Sequence, residues 1–392
     1  MGHAFIRLFC LLTCYLTVVV TAQAANPLKS YNVAPAAVSL SGESAGGYMA
    51  SQLGVAYSSL FPDGIAVFEG GPFDCIRTNQ FGQCWSNGTP DISASIANMR
   101  SWSGSQIDNV ANLANIKFYL YIGLSDTLVG PNVADQLQAQ LLNFTASSNI
   151  KYVRLAGAVH GVMPTDTFAS TFGWLFGTLN PPNTGTLKGQ FLLFDQTAFI
   201  ATGQGMGDTG ILYVPANCAN GQSCKLHVFL HGSNSNYQTR GINTAYYLDK
   251  NAWADTNNII VMYPQTSNES VNSFDGHNGQ WDHRAIYSSG YDWKTAPQNK
   301  AIADMVKKIT SGYQATTTAS DCLLSWAEKK YPDLLAPPTT SQSASPYYFR
   351  FFSATNAYLG VASNNYHLYY FSASGLADLG LAASWYSAAG CT

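Results

Sequence analysis

A serine flanked by glycines is the best candidate nucleophile in this sequence. Residues 42–46 read Gly-Glu-Ser-Ala-Gly, which matches the pattern G-x-S-x-G around Ser44. The aliphatic residues before this segment predict a strand and the small residues after it predict a helix, so Ser44 would lie on a sharp strand-to-helix turn. Glycines relieve crowding in such a turn. The backbone N–H of Ala45, at the start of the helix, could then stabilise a developing oxyanion.

An aspartate and a histidine follow two later predicted strands. Asp126 comes after a strand over residues 115–123, and His160 comes after a strand over residues 151–155. Functional side chains of parallel sheets lie beyond the carboxyl ends of the strands, and the order Ser, Asp, His is that of α/β-hydrolases. His160 would accept the proton of Ser44 and return it to the leaving group, while Asp126 would hold the imidazole tautomer.

Each of these residues has a non-catalytic alternative. The segment around Ser44 could be a Gly/Ser-rich loop, Asp126 could be a turn or N-cap residue, and His160 could be a hydrogen-bonded loop histidine. Asp166 competes with Asp126 for the role of the acid, but it follows the histidine, against the expected order. The strand-turn-helix context and the chain order favour the catalytic interpretation.

Predicted strands alternate with predicted helices around these residues, which indicates an α/β fold with a mostly parallel sheet. In the first part of the chain, helices are predicted over 45–58 and 132–143, and a further strand over 64–71. In the second part, strands are predicted over 190–194, 210–214, 226–230 and 259–263, followed by a helix over 295–310.

A His-Gly pair stands in an unusual place. His231-Gly232 follows the predicted strand 226–230, and in this fold class such a turn supplies an oxyanion-hole N–H and normally precedes the nucleophile. Here it comes long after Ser44. Circular permutation is the simplest explanation, with strands that usually begin the fold moved behind the nucleophile.

The composition excludes some classes of partner. Charged residues make up 10% of the chain, where about 25% is usual in soluble domains. The net charge is −3 and there is no basic run, so we expect no nucleic-acid partner. Aromatic residues make up 13%, and a polar, weakly charged surface suits a neutral polymer or glycan.

The first 25 residues have the pattern of a secretory signal peptide. Arg7 precedes an uncharged apolar run over 8–20, and small residues follow at 21–25. The apolar run is too short for a membrane span. We therefore expect cleavage after Ala24 or Ala25 and a secreted protein, extracellular or periplasmic, without a stable membrane anchor.

Six cysteines remain after that segment, and an even number in an exported chain favours disulfides. Their spacing predicts three pairs, Cys75 with Cys84, Cys218 with Cys224 and Cys322 with Cys391. Metal binding is the alternative, but no paired C-x-x-C or H-x-x-x-H spacing is present. We expect no metal and no organic cofactor.

Several longer segments resemble secreted poly(3-hydroxybutyrate) depolymerases of the circularly permuted, single-domain type. The resemblance covers roughly residues 30–315 and lies in residues 41–53, 68–75, 101–104, 253–258 and 263–265. It implies a serine esterase that cuts polyester chains, with Ser44, Asp126 and His160 as its triad. It also places Ser233, the residue after the His-Gly pair, at an oxyanion-hole position.

The sequence departs from that family at two linked positions. Members commonly have one cysteine at the position of Ser233 and another before a Trp-Asp-Trp segment, which here reads Gln280-Trp281-Asp282-His283. Both cysteines are absent, so we expect packing alone to hold the oxyanion hole. The second tryptophan of the family, used against substrate, is His283 here, which leaves the preferred substrate open.

Aromatic residues near this segment are candidate substrate contacts. Trp281, Tyr287 and Trp293 could contact acyl chains together with His283, although aromatic residues in such a composition more often belong to the core.

The last residues predict a separate small module. We expect residues 26–315 to form the catalytic domain and residues 316–392 a small α+β module closed by Cys322 and Cys391, which resembles modules at the ends of bacterial exported proteins. Its aromatic residues could bind polymer or only pack the small sheet.

Three functions remain open on these observations. The first is a secreted depolymerase of poly(3-hydroxybutyrate) or a related polyhydroxyalkanoate that forms an acyl-enzyme. The second is a secreted carboxylesterase for short acyl esters or acylated glycans, and the third is a non-catalytic polymer or glycan binder that has kept a hydrolase fold. The intact Ser44, Asp126 and His160 favour the enzymes over the binder, and we expect a monomer.

Overall fold

Strand β2 (Val33–Glu43) leads directly into the turn that carries Ser44, and the large sheet of the protein is built on both sides of it. The computed structural model describes residues 25–201, 203–269, 278–313, 317–331, 335, 342–344, 347–352, 355–362, 367–389 and 391. The predicted signal peptide, residues 1–25, lies outside the described residues except for Ala25.

Within the described residues, nine strands form the large sheet. Besides β2 they are β1 (Asn26–Pro27), β3 (Gly64–Phe68), β4 (Phe118–Gly123), β5 (Ile150–Leu155), β6 (Gln190–Asp195), β7 (Thr209–Val214), β8 (Cys224–Leu230) and β9 (Ile259–Tyr263). Their order is β1-β6-β7-β9-β8-β2-β3-β4-β5. Strand β7 is antiparallel to both neighbours and the other pairs are parallel, so the predicted mostly parallel α/β fold is confirmed.

Helices connect the strands of this sheet. They are α1 (Ala45–Ala56), α2 (Cys75–Thr78), α3 (Ser93–Trp102), α4 (Pro131–Leu141), α5 (Thr167–Phe176), α6 (Ala216–Ala219), α7 (Tyr237–Arg240), α8 (Lys250–Thr256) and α9 (Pro297–Thr310). Short 3-10 helices lie at Ser58–Leu60, Phe81–Cys84, Val110–Asn115, Ser147–Asn149 and Gly241–Tyr246.

The two faces of the sheet enter two different cores, because successive side chains of a strand point to opposite faces. Val228 of β8 packs in one core with residues of α1 and α9, among them Met49 and Val306. The next residue, Phe229, packs in the other core with Phe168 of α5. Burial on both faces explains why β3, β4, β8 and β9 are nearly continuous hydrophobic runs.

A buried polar trio interrupts this apolar pattern. His227 of β8 hydrogen bonds through Nδ1 to Oγ of Ser39 at 2.8 Å and through Nε2 to Oγ of Ser41 at 2.7 Å. Burial lowers the pKa of His227 to about 3, so the ring is neutral. The trio ties β8 to β2 inside the sheet and satisfies three buried polar side chains.

A second sheet of five antiparallel strands follows, in the order β10-β11-β12-β13-β14. Its strands are β10 (Gln342–Ala344), β11 (Tyr347–Phe352), β12 (Ala357–Ala362), β13 (His367–Ser372) and β14 (Gly375–Leu381). Helices α10 (Thr317–Lys330) and α11 (Ala382–Ala389) share an apolar core with this sheet.

All three predicted disulfides are present. Cys75 is bonded to Cys84, Cys218 to Cys224, and Cys322 to Cys391. Among the described residues, no helix combines the length and the apolar character needed to cross a membrane.

Candidate active site

Ser44 lies on a strained turn between β2 and α1. Its φ is 56°, its backbone N–H donates to the carbonyl of Phe68 at 2.9 Å, and α1 begins at the next residue. A Cβ at Gly42 would lie 2.0 Å from the carbonyl oxygen of Gly46, so no larger residue fits at position 42. The backbone thus holds Ser44 as the predicted turn requires.

The structure brings the three predicted side chains together. Nε2 of His160 lies 2.9 Å from Oγ of Ser44, and Nδ1 of the same ring lies 2.8 Å from Oδ2 of Asp126. The other oxygen of Asp126 accepts the backbone N–H groups of Leu128 at 2.8 Å and Val129 at 3.0 Å. With the proton on Nδ1, Nε2 is free to accept the proton of the serine hydroxyl.

The pKa shifts of His160 and Asp126 suit a histidine base that becomes charged during the reaction. Burial alone would lower the pKa of His160, but the hydrogen bond to Asp126 and the charges of Glu69, Asp126 and Glu43 raise it above its ordinary value. Burial alone would raise the pKa of Asp126, yet the bond and charge of His160 and the two backbone N–H groups lower it. Asp126 is therefore ionised and favours an imidazolium.

The competing acid lies elsewhere. Asp166 is the residue before α5, at the N-cap position. Among the residues that the structure describes, the carboxylates within 4 Å of Nδ1 of His160 are those of Asp126 and Glu69. Asp126, and not Asp166, therefore holds the histidine.

Glu69 is a site residue that the sequence reasoning missed. It follows β3, its side chain is fully buried, and its Oε2 lies 3.4 Å from Nδ1 of His160. The same oxygen accepts the backbone N–H of Gly161 at 2.7 Å. The signal was present in its position at the carboxyl end of a predicted parallel strand, where functional side chains lie.

The segment with Ser233 is fixed by hydrogen bonds, so the expectation that packing alone holds it is wrong. Nε2 of Gln280 donates to Oγ of Ser233 at 2.6 Å, and Nε1 of Trp281 donates to the carbonyl of His231 at 2.8 Å. The N–H of Asn234 also donates to the carbonyl of Asn278 at 2.9 Å. Hydrogen bonds therefore join the segment after the His-Gly pair to the segment around Trp281.

A cleft of about 330 Å³ opens beside Ser44. His160, Gly232 and Ser233 line it on the polar side, whereas Phe81, Trp85 and Leu128 form an apolar wall. The loop closed by Cys75 and Cys84 carries Phe81 and ends beside Trp85. The sequence indicated this loop only through its predicted disulfide.

The predicted aromatic contacts do not lie in the cleft. Trp281 is fully buried, and His283 is 3% exposed beneath the rings of Tyr48 and Trp85. The ring of Tyr287 packs against the backbone at Gly205, and Trp293 packs edge-on against Trp102. Trp281 and His283 are buried and Tyr287 and Trp293 are half-buried, and none of the four lines the cleft beside Ser44.

Two curated relatives match the chain over about three quarters of its length. A polyhydroxybutyrate depolymerase of Talaromyces funiculosus is 44% identical over 322 residues, which are 74% of this chain and 94% of the relative. The chain belongs to the polyhydroxybutyrate depolymerase family. A poly(3-hydroxybutyrate) depolymerase of Delftia acidovorans is 38% identical over 326 residues, and the match covers 75% of this chain but 64% of that longer relative.

Solved structures of this depolymerase family agree with the fold. The crystal structure of the PHB depolymerase from Penicillium funiculosum superposes with a TM-score of 0.69 at 43% identity, covering 74% of this chain and all of that one. A serine-to-alanine variant of PHB depolymerase, solved in complex with an R3HB trimer, gives the same TM-score and identity. No family model matches the chain.

Proposed function

We propose that this protein is a secreted serine esterase that hydrolyses poly(3-hydroxybutyrate) or a related polyhydroxyalkanoate. The observation that carries the proposal is the unbroken hydrogen-bonded series Ser44, His160, Asp126 at the carboxyl ends of parallel strands. Membership of the depolymerase family supports an ester of 3-hydroxybutyrate as the substrate class.

The proposed reaction begins when Oγ of Ser44 attacks the ester carbonyl and Nε2 of His160 takes the hydroxyl proton. The backbone N–H groups of Ala45 and Ser233 would stabilise the oxyanion of the tetrahedral intermediate. When the intermediate collapses, the bond to the alkoxy oxygen breaks and His160 returns the proton to that oxygen. One chain then leaves with a free hydroxyl, and the other remains as an acyl ester on Ser44.

Water completes the cycle. His160 takes a proton from a water molecule, which attacks the acyl carbonyl, and Ser44 leaves with that proton. The second product is a chain with a terminal carboxylic acid. Throughout, the ionised Asp126 stabilises the imidazolium that forms in each step.

For substrate contacts we propose the apolar wall of the cleft in place of Trp281, His283 and Tyr287. Phe81, Trp85 and Leu128 line the same cavity as Ser44, and their side chains can cover the methyl and methylene groups of a polyester chain.

We further propose that the catalytic domain is a circular permutant of the α/β-hydrolase fold. The strand order supports this, because β8, which precedes His231-Gly232, pairs with the nucleophile strand β2 although it comes much later in the chain. The division into a catalytic domain at 26–315 and a small module at 316–392 also remains a proposal. Secretion is supported by the three disulfides, and we propose a monomer.

The test compares amorphous poly(3-hydroxybutyrate) particles with a soluble short-chain p-nitrophenyl ester. Wild type should clear the particles and turn over the ester, and Ser44→Ala should do neither while keeping the wild-type Tm. Ser101→Ala, a change at an exposed serine of α3, is the matched control and should retain both activities. Ester turnover without clearing of the particles would instead favour a carboxylesterase for small esters. Polymer binding without any turnover would favour a non-catalytic binder.

A further inference from the structure

Four neighbouring strands each place one side chain at the candidate active site. The strands β2, β3, β4 and β5 lie side by side, and Ser44, Glu69, Asp126 and His160 follow them in that order. Three of these residues form the expected serine, histidine and acid series. Glu69 is the fourth, and the proposed reaction assigns it no role.

Glu69 contacts the histidine and the turn behind it. Its Oε2 lies 3.4 Å from Nδ1 of His160 and accepts the N–H of Gly161 at 2.7 Å. The ring nitrogen therefore faces two carboxylates, because Oδ2 of Asp126 lies 2.8 Å away. The same turn is held from other sides, since the hydroxyl of Tyr247 donates to the carbonyl of Gly161 at 3.2 Å.

Keeping a carboxylate at this position is costly. Glu69 has a φ of 51°, a backbone conformation that residues with a Cβ rarely adopt. Its side chain is fully buried, and its Oε1 has no hydrogen-bond partner among the described residues. An apolar side chain would fill a purely structural position at lower cost, because buried charges are stable only when they are paired.

Burial raises the pKa of Glu69 to about 7. His160 and the N–H of Gly161 oppose this shift, while Glu43 and Asp126 add to it. Burial raises the pKa of the Tyr121 and Tyr247 hydroxyl groups, and the nearby charge of Glu69 adds to both shifts. The ionised form of Glu69 is therefore favoured most when His160 carries a positive charge.

We propose that Glu69 is a positioning residue for His160, a second carboxylate that orients the imidazole together with Asp126 and fixes the turn at Gly161. The inference rests on the proposed esterase function. Asp126 accepts the proton of Nδ1 directly, whereas Glu69 holds the backbone behind the ring and stabilises the imidazolium from a second direction.

The test uses two substitutions that separate charge from hydrogen bonding. Glu69→Gln keeps an oxygen acceptor for Gly161 but removes the charge, and Glu69→Ala removes both. With the soluble p-nitrophenyl ester, Glu69→Gln should lower kcat about tenfold at unchanged KM and move the acid limb of kcat/KM by about one pH unit to lower pH. Glu69→Ala should lower kcat further.

A double-mutant cycle with Asp126 tests whether the two acids share the task. If Glu69 partly replaces Asp126, the Asp126→Ala variant should keep residual activity. Adding Glu69→Gln to that variant should then lower the remaining kcat about a hundredfold, a larger factor than the same substitution causes in wild type. Equal factors in both backgrounds would show that the two carboxylates act independently and would overturn the shared role.

Asp63 offers a matched control. It lies just before the amino end of the same strand, and burial raises its pKa to about 6. Asp63→Asn should leave kcat and the acid limb unchanged. A Glu69→Gln variant with wild-type kcat and pH profile, or one that loses only Tm, would overturn the inference, whereas a wild type inactive on the ester would instead overturn the proposed function. If Glu69→Ala does not fold, Glu69→Gln carries the test.

Discussion

Gln280 donates a hydrogen bond of 2.6 Å from Nε2 to Oγ of Ser233 across 47 residues of sequence. The bond joins the segment after the His-Gly pair to the segment around Trp281. Its two residues stand at the positions where the resemblance described above leads us to expect cysteines. This bond is one of three hydrogen bonds that fix the segment around Ser233, together with those from Trp281 to His231 and from Asn234 to Asn278.

Removing this contact should loosen the proposed oxyanion hole. We expect Gln280→Ala to lower kcat/KM about tenfold, chiefly through kcat, because the Ser233 N–H would in the proposed reaction act only in the transition state. Unfolding free energy should fall by about 1 kcal/mol, the usual value of one hydrogen bond. Steady-state kinetics and chemical denaturation provide the two measurements.

The control is a cycle with Ser233→Ala, which keeps the backbone N–H and removes the hydroxyl. In that background Gln280→Ala should have little further effect, since the bond is already absent. Two fully additive losses would contradict the role of this bond.

Activity should increase with pH through the raised pKa of His160. Only the neutral imidazole can accept the serine proton, and the surrounding carboxylates raise the pKa of His160 above 6.5. We expect the acid limb of kcat/KM for the soluble ester to lie above pH 6.5 in wild type. A limb below that value would contradict the electrostatic description of the site.

The pH dependence of stability should differ from the acid limb of kcat/KM. A histidine with a raised pKa contributes stability that is present below 6.5 and lost as the pH rises through its folded-state pKa. Glu69, whose pKa rises from 4.5 to about 7, is also easier to bury at the lower pH. Asp126 has a lowered pKa, so its contribution is lost only on acidification below 3.8. Measuring Tm over the assay range separates the two effects.

Phe81 should matter for polymer more than for small esters. Its ring is partly exposed in the wall of the cleft and packs 6.0 Å from the ring of Trp85. We expect Phe81→Ala to reduce particle clearing about tenfold, through loss of roughly 1–2 kcal/mol of apolar contact. The p-nitrophenyl ester should show a smaller change, in KM.

Tyr246 provides the comparison for this change. It is 53% exposed, packs against the ring of Phe191 at a tilt of 39°, and is not among the residues that line the cleft. Tyr246→Ala should leave particle clearing unaltered. Equal losses for both variants would mean that Phe81 contributes only through general stability.

Local sequence patterns predicted the parts of the fold that depend on neighbouring residues. The turn at Ser44 requires glycines at fixed positions, and Asp126 and His160 follow hydrophobic strands whose boundaries agree closely with the structure. Short-range cysteine spacing likewise identified Cys75–Cys84 and Cys218–Cys224. In each case the physical requirement lies within a few residues.

Contacts between distant segments could not be predicted in this way. Glu69 contacts Gly161 and Gln280 contacts Ser233, and both depend on how separate loops meet above the sheet. The aromatic prediction was misplaced for the same reason, because composition does not distinguish the buried Trp281 from the cleft residue Phe81. Only the folded arrangement shows which aromatic residues remain accessible.

The order of the strands divides the proposed catalytic residues between two consecutive pieces of chain. Ser44, Glu69, Asp126 and His160 precede the connection between α5 and β6, whereas Ser233 and its partner Gln280 follow it. The two pieces meet along the β2–β8 pair and the short β1–β6 pair. A chain cut within the mostly exposed residues 177–189 would yield one fragment with the proposed nucleophile, Ser44, and another with Ser233 of the proposed oxyanion hole. Ester hydrolysis would then report the reassembly of the two fragments, which makes the fold suitable as a split enzyme.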